Sequence, residues 1–179
     1  MKHCWTLSLF ILLFGCQQEH VEHHHVHDPV SVEAGRLTRM AASLRGFPVF
    51  ALEEIVTDPP ITTKQPRLLF LISQQSCDTC VYKGLSFLNK IALGLPSDQV
   101  FVVDSGGNAA IYSENSDYKG RFYPDPKSEI RTGLKYTHTP ALFLLDEESM
   151  VVDVYYPRLD NDDFEQQSFT KNAIAHLSL

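Results

Sequence analysis

Downstream of residue 66 the chain alternates between apolar runs and stretches of helical periodicity. Residues 67–73 (RLLFLIS) are continuously apolar after the arginine, the pattern of a strand buried on both faces. Val81, Leu85, Leu88, Ile91, Ala92 and Leu95 then recur at helical spacing, and Gly94 and Pro96 end that helix. Residues 100–104 (VFVVD) predict a second buried strand, followed by a Ser105-Gly106-Gly107-Asn108 turn. Residues 108–119 read as part helix and part loop. Residues 126–134 predict a short helix, with Asp125 able to cap it and Pro126 at its first position. Thr139-Pro140 leads into a third strand (ALFLLD). A hairpin turn at 147–149 and a fourth strand (MVVDVYYP) follow. The last helix opens at 160–163 and runs through Leu177, with Phe164, Phe169, Ala173, Ile174 and Leu177 as expected core residues. Upstream, residues 32–44 place Leu37, Met40, Ala41 and Leu44 on one helical face. PVFALEEIV reads as a leading strand and TDPPITTKQP as a loop. No internal repeat is visible, and the length fits one domain.

The N-terminus decides the compartment. Lys2 and His3 precede an apolar run at 5–14 that is shorter than the roughly 20 residues a membrane span needs. It suits a signal-peptide core. The run ends LFGC, which resembles the bacterial lipobox, where the signal is cut before a cysteine that carries lipid. That resemblance implies lipidation of Cys16, a signal at 1–15, and a domain held outside the cytoplasm; the plainer alternatives, an ordinary secretory signal with a chance cysteine or an uncleaved anchor, place the domain there too. The stretch QQEHVEHHHVHDPVS predicts a His-rich flexible tether over 16–31, leaving 32–179 as the folded domain. His20, His23, His24, His25 and His27 could bind Zn, Cu or Ni; the plainer reading is a solvated linker, because a mobile segment loses conformational entropy in forming a fixed site.

Composition narrows the function. Cutting before Cys16 removes Lys2 alone among the charged residues, leaving 14 basic against 22 acidic residues and a net charge of −8. Nothing in that balance favours nucleic acid. Anionic headgroups would repel it, so membrane attachment is expected through the lipid. Of 4 cysteines, Cys4 falls in the signal and Cys16 at the lipid site. Only Cys77 and Cys80 remain, in a compartment where disulfides persist. No multi-disulfide framework is available, so stability rests on a hydrophobic core.

Cys77-Asp78-Thr79-Cys80 sits where a strand gives way to a helix. A sulfur at a helix N-terminus faces unpaired N–H groups and the positive dipole end, which favour a thiolate. The thiolate is the nucleophile of disulfide exchange. A second cysteine one turn on can resolve the mixed disulfide. Cys77 is therefore the expected attacking thiol and Cys80 the resolving one.

The order strand, C-x-x-C, helix, strand, helix, Thr-Pro, strand, hairpin, strand, helix resembles the thioredoxin superfamily, and within it the membrane-tethered thioredoxin-like proteins. The resemblance covers roughly 47–177. It implies an α/β thioredoxin-like fold, with a mixed sheet of four or five strands flanked by helices. It also implies thiol:disulfide oxidoreductase activity without a cofactor beyond the redox-active disulfide. Thr139 and Pro140 would bind the substrate at a cis-proline, offering the Thr139 backbone to an extended peptide. Partners would be protein thiols and disulfides, with an upstream membrane electron donor. Gln17 lacks the Asp that often retains such lipoproteins in the inner membrane, which favours the outer membrane.

Three departures matter. Ser76 stands where the family usually has an aromatic residue. Asp78 brings a negative charge beside the sulfurs, opposing the thiolate and favouring the disulfide form, which predicts a reductant. Leu71 stands where some members bury an acid. The alternative function is copper or zinc delivery through Cys77, Cys80 and His138. Two-cysteine copper carriers of this superfamily space their cysteines by three residues, and a zinc knuckle wants a second ligand pair. A peroxidase would want Thr or Ser three residues before its cysteine, where Gln74 stands. A structural staple explains little, because so small a loop stabilises weakly.

Overall fold

The computed structural model describes residues 29–58, 60–160 and 163–177. The signal, Cys16 and the histidines of the tether lie outside them. The sheet has five strands, β1 (Arg67–Ile72), β2 (Val100–Asp104), β3 (Phe122–Pro124), β4 (Ala141–Leu145) and β5 (Val151–Tyr155), in the order β3-β2-β1-β4-β5. β1 pairs parallel with β2 and antiparallel with β4; β3 extends the parallel side and β5 the antiparallel side.

Alternation along each strand feeds two cores. Leu69, Leu71, Phe101, Val103, Ala141 and Phe143 face helix α1 (Pro29–Leu44), the one-turn α2 (Leu52–Ile55) and α5 (Glu129–Gly133). Leu68, Phe70, Ile72, Val102, Leu142 and Leu144 face α3 (Asp78–Ile91), α4 (Ala109–Asn115) and α6 (Asp163–Leu177). Every residue of β1 is buried, Arg67 included, as expected of the apolar run that follows the arginine. On α3, Val81, Leu85, Phe87, Leu88 and Ile91 are buried. At about 2 kcal/mol each, gross, they fix that helix firmly on the sheet. Gly84 lets it approach: a Cβ there would collide with the Phe70 ring and lie 2.9 Å from Pro157.

Several expectations are corrected. The expected leading strand at 48–56 makes only an isolated bridge, Pro48 to Met150, before Ala51 turns left-handed at φ 65° and α2 begins. Leu52 and Val56, four apart and both buried, follow a helical rather than an alternating spacing. The fifth strand is instead β3, whose three residues include Pro124 at the sheet edge. α1 starts at Pro29, three residues inside the expected tether. Asp125 does cap α5, but at one remove: Oδ1 accepts from Glu129 N at 2.9 Å and Oδ2 from Ile130 N at 3.2 Å, while Pro126 lies outside the helix. On α6, Phe169, Ala173 and Leu177 are buried, whereas Phe164 and Ile174 point outward. The hairpin forms where expected. Asp146 Oδ1 accepts from Glu148 N and Met150 N, both at 2.9 Å.

Candidate redox site

Cys77 is the N-cap of α3, in extended conformation (φ −69°, ψ 120°), and its Sγ accepts from Cys80 N at 3.4 Å. The sulfur thus occupies the place of a capping oxygen, against an otherwise unpaired helix N–H. Cys77 is exposed and Cys80 buried, both as free cysteines. Burial first, then the hydrogen bond and charge shared with Cys77, push the Cys80 thiol up to about 12; Lys83, one turn on, opposes this weakly. The two thiols are chemically unlike: one is open to a partner, and the other is held protonated inside.

The loop before Cys77 is tied down by small polar side chains. Ser73 N donates to Ser76 Oγ at 3.0 Å, and Ser76 N donates back to the Ser73 carbonyl at 2.9 Å. Ser76 therefore works as a loop fastener. Ser73 Oγ lies 2.5 Å from Thr139 Oγ1, with both residues buried. This bond links the end of β1 to the Thr139-Pro140 peptide, which is cis. Arg131 on α5 clasps the same region. Its Nη2 donates to Gln75 Oε1 at 3.0 Å and its Nε to the Thr137 carbonyl at 3.2 Å. Thus the helix start that carries Cys77 and the Thr139-Pro140 peptide lie at one end of the sheet, where β1 ends and β4 begins.

His138 is placed elsewhere. Its ring packs edge-on against Tyr156, centroids 5.8 Å apart, and Tyr156 belongs to the α1-side core. Burial and the Arg36 charge lower its pKa, against the opposing pull of Glu33. Among the described residues no three His, Cys, Asp or Glu side chains come together as a metal cluster. The trio Cys77, Cys80 and His138 imagined for copper or zinc is therefore not assembled.

Two residues at this end of the sheet escaped the sequence reading. Tyr112 on α4 is 2 % exposed and donates through its hydroxyl to Asp78 Oδ1 at 2.8 Å. Asp104 closes β2 in register with Ile72 and is also 2 % exposed. Its Oδ1 accepts from Gly106 N at 2.7 Å, and its Oδ2 is buried without a hydrogen-bond partner among the described residues. The charged end of an otherwise apolar VFVVD run was the available signal for Asp104. Tyr112 lay in the stretch whose helix was least defined.

No family model and no curated protein matches the chain. Solved structures do resemble it. A candidate protein disulfide isomerase from Bacteroides thetaiotaomicron superposes with a TM-score of 0.53 at 18% identity, over 65% of this chain and 76% of that one. A candidate thiol:disulfide interchange protein of the DsbE type from Chlorobium tepidum gives 0.51 at 15% identity, over 64% and 82%. The fold is thioredoxin-like. No helix among the described residues is long and apolar enough to cross a membrane.

Proposed function

We propose that the protein is a lipid-anchored thiol:disulfide oxidoreductase working outside the cytoplasm, reducing disulfides in partner proteins. The observation that carries this reading is the asymmetry of the cysteine pair, with Cys77 exposed at the helix N-cap and Cys80 buried one turn behind it. The two similar structures bear names from disulfide chemistry, in keeping with the reading.

In the proposed cycle the Cys77 thiolate attacks one sulfur of a partner disulfide. A Cys77–partner bond forms, the partner's own S–S bond breaks, and one partner thiolate leaves. Cys80 then gives up its proton and attacks Cys77 Sγ. The Cys77–Cys80 disulfide forms and the second partner thiol is released. Two electrons and two protons have passed to the partner, and a membrane-bound dithiol donor returns them to the pair. The high titration point of Cys80 suits the resolving role. Burial first, and then the bond and charge shared with Cys77, hold that thiol protonated, and the mixed disulfide makes Cys77 Sγ its target. The Thr139 backbone would meet the partner as an extended strand. The LFGC site at Cys16 supplies the anchor, with the outer membrane as the favoured address.

Trapping tests the reading. In cells, a Cys80→Ser chain is expected to accumulate mixed disulfides through Cys77, dissolved by dithiothreitol. A Cys77→Ser chain is expected to accumulate none. Equal trapping by both, or none by either, would remove the proposed cycle.

A further inference from the structure

By charge alone, Asp78 opposes the Cys77 thiolate. The structure holds that charge in one place. Asp78 is the first residue of α3, immediately after the Cys77 N-cap, and its side chain is exposed. An exposed carboxylate needs no protein partner, since water solvates it. Yet it accepts a 2.8 Å hydrogen bond from Tyr112, a buried residue on another helix. The Tyr112 ring is itself fixed edge-on against Tyr82 of α3, centroids 5.7 Å apart at 80°. Burial first, then the bond and charge of Asp78, raise the phenol above its ordinary range, with the Asp104 charge adding to the shift, so it stays a donor.

We propose that Tyr112 is a positioning residue for the Cys77–Cys80 pair, holding the Asp78 carboxylate against α4 so that Cys77 keeps the helix N-terminus. The inference rests on the redox reading above. Its physical basis is competition. A carboxylate at the first helical position and a thiolate at the N-cap both seek the same free N–H groups and the same positive dipole end. Cys77 Sγ takes Cys80 N, while the Asp78 carboxylate is turned to the phenol. Removing the phenol hydroxyl frees the carboxylate to approach those N–H groups and the sulfur. The thiolate then loses stabilisation and the disulfide form gains.

The test is the equilibrium of the full chain with glutathione, in which the protein disulfide and two glutathione thiols give the protein dithiol and one glutathione disulfide. Tyr112→Phe is expected to shift it toward the protein disulfide by about three- to tenfold, the size of a charge-assisted bond discounted for exposure. Asp78→Asn is expected to shift it toward the dithiol. The double variant should match Asp78→Asn alone, because Tyr112 acts through Asp78. Thiolate absorbance at 240 nm, read at one fixed pH in a Cys80→Ser background, should follow the same order. A Tyr112→Phe chain indistinguishable from its parent in both readouts would overturn the proposal. So would an equal shift with and without the Asp78 carboxylate, which would reduce Tyr112 to a packing role. If the parent pair never equilibrates with glutathione, the redox reading fails, while the absorbance comparison still decides the clamp.

Discussion

Blocking the reduced protein with iodoacetamide at pH 8 is expected to modify Cys77 well before Cys80. Two features of the structure set the ratio. A thiol titrating at about 12, as Cys80 does, is only about one ten-thousandth thiolate at pH 8. An ordinary cysteine near 8.5 is about one-quarter thiolate there. Titration alone therefore places Cys80 about three orders of magnitude below an ordinary thiol, and its 9 % exposure adds a barrier of access. Peptide mapping by mass spectrometry after graded exposure reads the two sites separately. The expected result is single modification at Cys77, with Cys80 unmodified until the chain is denatured. Comparable rates at the two sites would refute the asymmetry. Faster modification of Cys80 would reverse the roles of attacking and resolving thiol.

The same burial makes a stability prediction. Because the folded state raises the Cys80 titration point, folding favours the protonated thiol. That contribution is complete below about pH 8.5 and is lost as pH rises toward 12. Denaturation of the reduced protein should show a loss of up to about 1.4 kcal/mol per pH unit in that window, absent from Cys80→Ser. Asp125→Ala removes both oxygens that cap α5 and is expected to cost about 1–3 kcal/mol, visible as a lower melting temperature. Gly84→Ala gains about 1 kcal/mol in helix propensity yet meets Phe70 and Pro157, so a net loss of stability is expected in urea titrations. Ser73→Ala leaves the buried Thr139 hydroxyl without that bond and is expected to cost about 1–3 kcal/mol. Adding Thr139→Val should recover part of this; a doubled loss would show that the two hydroxyls are not coupled.

The layering of the fold was legible because its signals are strong. A strand buried on both faces reads as an apolar run, unbroken after Arg67, and the cysteine helix carries its apolar stripe at regular spacing. The weak elements were not. β3 is three residues long and ends on a proline, too short for any alternation to show. At 48–56 a run rich in apolar residues imitates a strand, although Leu52 and Val56 mark a helical turn. At the site, Cys77 and Cys80 announced themselves through spacing and position. Their environment did not. The clasp from Arg131 to Gln75 spans 56 positions, the Ser73–Thr139 bond 66 and the Tyr112–Asp78 bond 34. Such pairs exist only once the sheet has brought their loops together. His138 shows the same limit: Thr139 beside it bonds Ser73, while its own ring packs on Tyr156 of the α1-side core.

The most direct test of the central claim is to equilibrate the full chain against glutathione or dithiothreitol buffers of graded potential, scoring Cys77 and Cys80 by thiol-specific labelling and mass. The account predicts a reversible two-electron couple between two thiols and one internal disulfide, without metal, lying nearer roughly −270 mV than roughly −120 mV. A value near the oxidising end would leave the fold intact and contradict the role as a reductant. A pair that never closes into a disulfide, or that only added metal protects from labelling, would contradict the redox function itself.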